Sequence, residues 1–137
     1  MGLNDAVKEK VLKIIANGKP LTKAINKGRE KWKIADKIIH VRFRTSPKTD
    51  GFSYSYNISP NTLEADYEVW ICGSSHHFYL IPMFEIRAIY NDPEAYVDYQ
   101  HPNLRVAEVN TINHRVLYGR NRKTMDFSRY FKAKLQL

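Results

Sequence analysis

Cysteine is almost missing from this 137-residue chain, with Cys72 the only one. One thiol closes no intrachain disulfide and builds no multi-cysteine zinc site, and a free cysteine usually serves as a small buried hydrophobe. Long apolar runs are missing too: the stretch Phe78 to Met83 is among the longest, far below the roughly 20 residues that span a bilayer. The first residues lack an apolar leader core and a small-residue cleavage site, so a soluble, cytoplasmic protein with no membrane partner is expected. The six glycines form neither a dinucleotide fingerprint nor a phosphate-binding P-loop. No H-E-x-x-H and no H-x-E with C-x-x-C occurs, which removes zinc hydrolase and zinc deaminase chemistry. His40, His101 and His114 are isolated, and His76 and His77 would point to opposite faces of a strand.

Acidic residues are scarce at both ends. Residues 1–51 hold 13 Lys and Arg against 5 Asp and Glu, and residues 113–137 hold 7 against 1. Between them, residues 52–112 invert the pattern with 2 against 8, and the whole chain carries +8. Such segregation suggests positive surfaces meant for a polyanion, with nucleic acid the first partner to consider. The nine tyrosines outnumber six phenylalanines and two tryptophans, a choice that suits sheet surfaces and interfaces as well as base stacking.

The length and the hydrophobic content suit a single domain over residues 1–137. Asn4 is read as the cap of a helix whose Val7, Val11, Ile14 and Ile15 recur at helical spacing, stopped by Asn17-Gly18-Lys19-Pro20. A second helical stretch is expected from Pro20, with Leu21, Ala24 and Ile25 on one side and Lys23, Lys27, Arg29 and Lys31 around it. From Ile38 the period becomes two: Ile39, Val41 and Phe43 alternate with His40, Arg42 and Arg44, as in a strand with one cationic face. After the turn chemistry of Ser46 to Gly51, Phe52, Tyr54, Tyr56 and Ile58 mark a second strand, and the two are expected to form a hairpin over 38–58. Strands near 66–71 and 77–82 follow, then a short helix over 83–90, a loop through Pro102, and two late strands around Val106, Val109, Val116 and Leu117. Ser128 to Leu137 is expected to pack Tyr130 and Phe131 back on the domain.

Arg42 and Arg44 lie two apart on a strand, so they share a face about 7 Å apart, a spacing that suits adjacent phosphates. With Lys48 in the turn and the C-terminal cations Arg115, Arg120, Arg122 and Lys123, they form the candidate nucleic-acid contacts. The alternative is an exposed face on which Asp66 and Glu68 answer the two arginines. Asp66 and Glu68 also make a D-x-E pair, the candidate ligands for a magnesium ion.

The segments Ile38-Ile39-His40-Val41-Arg42-Phe43-Arg44, Phe52-Ser53-Tyr54-Ser55-Tyr56-Asn57, Ala65-Asp66-Tyr67-Glu68-Val69-Trp70-Ile71 and Phe78-Tyr79-Leu80-Ile81-Pro82 together resemble part of some PD-(D/E)XK, restriction-endonuclease-like nuclease domains. The family's pieces are an "IQVK" strand, a polar-aromatic strand, an "aDYfavy" strand and a "yyIP" strand. The resemblance covers residues 38–82 and implies a mixed core that, in relatives, cuts or binds DNA with magnesium. Where the family strand has Glu or Gln, any residue, then Lys, this chain has His40-Val41-Arg42, which makes Arg42 the catalytic candidate at that position. The family also implies an acid on the preceding strand; Asp36 is the nearest, at a spacing that leaves no room for a separate strand and turn, and Glu9 or Glu30 are the helical alternatives. The Asp66 position looks structural in the family.

These readings combine into an α+β or α/β fold, N-terminal helices on a mixed sheet with a restriction-endonuclease-like core. The expected function is DNA binding of that type, either with magnesium-dependent phosphodiester hydrolysis or as a non-catalytic nucleic-acid-binding module. A protein-interaction domain is the third reading. Duplex DNA is the expected partner, and a homodimer is an expected assembly.

Overall fold

A computed structural model of the chain describes residues 3–24 and 30–136. It is an α+β fold. Helix α1 spans Leu3–Ala16, with Asp5 in its first turn and Lys13 in its last, each of the sign that the helix dipole favours. Asn4 lies inside the helix. Asn17 and Gly18, both at positive φ, end it.

The next elements are strands β1 (Leu21–Lys23), β2 (Lys31–Ile34) and β3 (Lys37–Arg44), joined antiparallel in sequence order. The second helix expected from Pro20 is therefore corrected at Leu21–Lys23, which is extended; Ile25, Lys27 and Arg29 lie outside the described residues. The two-residue turn Ala35-Asp36, with Ala35 at φ 54, separates β2 from β3. Asp36 lies in that turn and not on a strand of its own, as its spacing from His40 implied; the strand before β3 ends at Ile34.

Strand β4 (Ser53–Ile58) does not return beside β3. Both edges of β3 are taken, by β2 and by the parallel strand β5 (Tyr67–Cys72), so the expected 38–58 hairpin is replaced by a crossing between two sheets. The first sheet runs β1-β2-β3-β5-β6, where β6 is Phe78–Pro82. Helix α2 (Met83–Asn91) follows, as expected. The expected loop through Pro102 instead contains β7 (Val97–Asp98) and the start of β8 (His101–Asn110). Strands β9 (Arg115–Gly119) and β10 (Lys123–Asp126) complete a second, antiparallel sheet ordered β10-β9-β8-β4, with β7 beside β8.

Alternation along the first sheet sorts its side chains into two cores. Ile39, Val41, Val69, Ile71, Phe78 and Leu80 pack with Val11, Leu12 and Ile15 of α1. On the opposite face Trp70, Tyr79 and Ile81 pack with Tyr56, Ala107, Val109 and Val116 of the second sheet and with Ile86 and Ile89 of α2. The Tyr56 and Trp70 rings stack at 4.9 Å, 3° from parallel. Tyr130 and Phe131 join this second core, as expected of the tail. Cys72 is buried in it, and burial pushes its thiol up to about 12. His76 and His77 lie in the turn before β6 rather than within a strand. No described helix is long and apolar enough to cross a membrane.

Candidate nucleic-acid interface

The cations singled out by sequence fall into two groups once their carboxylate neighbours are considered. Lys48 forms an ion pair with Glu108. Lys123 is held by Asp92 at 2.8 Å and Glu94 at 3.2 Å, and Asp92 is accordingly held below the usual carboxylate range, first by that hydrogen bond. Arg120 donates to the Pro93 carbonyl at 3.2 Å, and its neighbour Asn121 donates to Glu94. The basic turn is thus fastened to the segment after α2. By contrast, the side chains of Arg42, Arg44, Arg115 and Arg122 have neither a carboxylate within ion-pair distance nor a carbonyl acceptor among the described residues.

These four arginines form two pairs. Arg42 and Arg44 share a face of β3, Arg42 half-buried and Arg44 exposed, and Arg42 opens on a depression of about 300 Å³ lined by Lys8, Glu30, Val41 and Phe43. Arg115 and Arg122 line a second depression, of about 320 Å³, with Asn110 and Asn113 on the second sheet's outer face. Glu108 borders the same depression and holds Lys48 beside it. Lys48 lies four positions after Arg44, a reach of at most about 14 Å between their Cα atoms. The 45–52 crossing between the sheets therefore links the two arginine pairs.

The acids do not converge. Glu30, expected on a helix, lies instead in the turn before β2 and is paired with Lys8 at 2.8 Å; Glu9, on α1, is paired with Lys13 at 3.3 Å, and Asp36 is exposed in the β2–β3 turn. Asp66 accepts a hydrogen bond from the Ile38 amide at 2.8 Å. Glu68 accepts from His40 Nδ1, 3.0 Å from both of its oxygens. The register sets Arg42 opposite Trp70 and Arg44 opposite Cys72, so neither forms the ion pair with Asp66 or Glu68 that the alternative reading expected, and Arg42 acts on Glu68 only through space. No group of three side chains able to hold a metal occurs among the described residues.

One polar row was not foreseen from sequence. Lys31 lies opposite His40, and His40 opposite Glu68, across three adjacent strands, and all three are buried. Lys31 Nζ donates to the Asn61 carbonyl and to Asn61 Oδ1, each at 2.8 Å, and lies 3.7 Å from Glu64. Desolvation raises the Glu68 carboxyl above its ordinary range, against the opposing pull of its hydrogen bond from His40. The signal was available: Lys31 and Lys33 alternate with Trp32 and Ile34, a period of two that reading this stretch as helix concealed.

The chain matches no family model, no curated protein and no solved structure.

Proposed function

We propose that this protein binds duplex DNA through arginine contacts to the phosphate backbone, on a restriction-endonuclease-like core that does not cut. The core assignment is supported by the order of elements: a helix, a three-stranded antiparallel meander, and then β5 parallel to the third strand of that meander. His40-Val41-Arg42 lies in that third strand. The observation that carries the binding reading is that the side chains of Arg42, Arg44, Arg115 and Arg122 have neither a carboxylate nor a carbonyl partner among the described residues, whereas Lys8, Lys48 and Lys123 are ion-paired and Arg87, Arg105 and Arg120 donate to carbonyls. Arginines left without a partner keep their bidentate donors for phosphate.

A magnesium ion does not fit the residues beside Arg42. Hard divalent cations need several oxygen ligands. Here the strand before β3 offers Lys31 and Lys33 and no acid, Glu30 beside Arg42 is held by Lys8, and the buried Lys31 stands in the same row as Glu68. Glu68 is already taken by His40, and Asp66 by the Ile38 amide. The orphaned buried polar side-chain atom among the described residues is Trp70 Nε1, a donor that cannot ligate a metal.

Two measurements test this. Affinity for a duplex should fall about 10²-fold between 50 and 200 mM salt if about four phosphates are neutralised, and a flat response would favour the protein-interaction class. Supercoiled plasmid should persist with magnesium at high protein excess; nicking or linearisation would replace the binding reading by the nuclease one.

A further inference from the structure

At the tip of the β8–β9 hairpin Ile112 is 70% exposed. A stiff, β-branched apolar side chain gains nothing there from the core, yet the backbone beneath it is closely held. Asn110 Oδ1 accepts from the amides of Ile112 at 2.9 Å and Asn113 at 3.2 Å. Asn113 Oδ1 in turn accepts from the Arg115 amide at 2.9 Å. The Thr111 hydroxyl and amide both donate to the Phe52 carbonyl, at 2.7 and 3.1 Å. His114 closes the loop, its Nδ1 lying 2.6 Å from the Tyr79 hydroxyl and its ring packed 4.6 Å from that of Phe131.

This anchored tip adjoins the depression lined by Asn110, Asn113, Arg115 and Arg122. Carboxylates are near, but each has its own partner. Asp50 accepts from the Phe52 and Ser53 amides, Glu108 holds Lys48, and Asp126, which acts on Arg115 through space, accepts from the Ser128 amide. An apolar point on a pre-set backbone, next to a depression lined by two arginines with no ion-pair partner, has the chemistry of a residue that unstacks a base step while nearby cations hold phosphates.

We infer that Ile112 is a wedge that enters between two base pairs while Arg115 and Arg122 grip the flanking backbone. The preferred ligand is then a duplex that kinks readily, at a flexible pyrimidine–purine step or a mismatch, over a stiff A-tract. This rests on the DNA-binding reading and adds to it a choice among duplexes.

The test uses duplexes of about 20 base pairs, long enough for an end-to-end fluorescence transfer signal on bending, with either a central mismatch or a central A-tract. The intact protein should bend the mismatched duplex and bind it about tenfold more tightly than the A-tract. Ile112→Ala should bind both equally and leave both straight, with an unchanged melting curve because Ile112 is exposed. Phe84→Ala, on α2 and 62% exposed in the native protein, should behave as the intact protein does. The wedge is overturned if Ile112→Ala keeps the bend and the preference, if Phe84→Ala abolishes them equally, or if Ile112→Ala alters the protein's own sedimentation mass, which would assign the tip to a second copy. Salt-sensitive binding without preference by the intact protein sinks the wedge and leaves phosphate gripping intact; absence of duplex binding sinks both.

Discussion

Glu68 is where the energetics of a single side chain are most exposed to measurement. Its carboxylate is 1% exposed and is raised in pKa by desolvation, with His40 Nδ1 at 3.0 Å as the group that answers it. A carboxyl whose native pKa lies above its unfolded value of 4.5 binds more protons folded than unfolded. Its contribution to stability is therefore greatest at low pH and declines as pH rises from 4.5 toward the native value. Each unit of elevation corresponds to about 1.4 kcal/mol. Glu68→Gln keeps the volume and does not titrate, so the stability of the native protein minus that of the variant should fall as pH climbs from about 4.5. Urea denaturation across that range checks it, and a difference that stays flat would mean that His40, with Arg42 acting through space, fully offsets the burial. The acids Asp50, Asp92 and Asp126, held below their ordinary range by hydrogen bonds, act with the opposite sign below about pH 3.8 in both proteins, and so cancel from the difference.

At the scale of elements, the two sheets are held together through β4 and β5. The Tyr56 hydroxyl donates to the Ile71 carbonyl at 2.6 Å, from a ring 1% exposed and stacked on Trp70. Tyr56→Phe keeps the stack and leaves that bond unmade, and should cost about 1–2 kcal/mol in urea denaturation with an unchanged slope. A neutral result would place the inter-sheet stabilisation in apolar contact alone. The same contact explains what could be read from the chain and what could not. Strands with clean alternation, such as Ile39-His40-Val41-Arg42-Phe43, were legible because burial on one face imposes a period of two. So was α1, from its i, i+3, i+4 stripe. Which strands would pair was not legible. Tyr54, Tyr56 and Ile58 read as the partner of β3 because a turn-forming segment joins them, yet their side chains fill the far core and the backbone edges of β3 were claimed by β2 and β5. Local turn chemistry says that the chain bends, and long-range burial decides toward which neighbour. The pairing of His40 with Glu68, 28 residues apart, was hidden for the same reason.

For the molecule as a whole, the sorting of charge along the chain becomes a question of whether separate cations act on one ligand. The basic N-terminal block supplies Arg42 and Arg44 on the first sheet, and the basic C-terminal block supplies Arg115 on the second and Arg122 in the turn between β9 and β10. The intervening acids are largely spent on other groups: Asp92 and Glu94 on Lys123, Glu108 on Lys48, Glu68 on His40. Among the cations left without a carboxylate, these two arginine pairs are joined by the short 45–52 crossing. If one duplex covers both, each double substitution, Arg42→Ala with Arg44→Ala or Arg115→Ala with Arg122→Ala, removes about two phosphate contacts. Each should then lower the steepness of log affinity against log salt by about 1.8, and the fourfold variant by about twice that. Two separate sites give a different pattern, because the stronger site alone sets the slope and only one of the double variants changes it. Titrating a labelled duplex at several salt concentrations with the three variants distinguishes these outcomes. Equal, additive losses of slope require that Arg44 and Arg122 reach the same DNA, which ties the two charge blocks of the chain to a single binding surface.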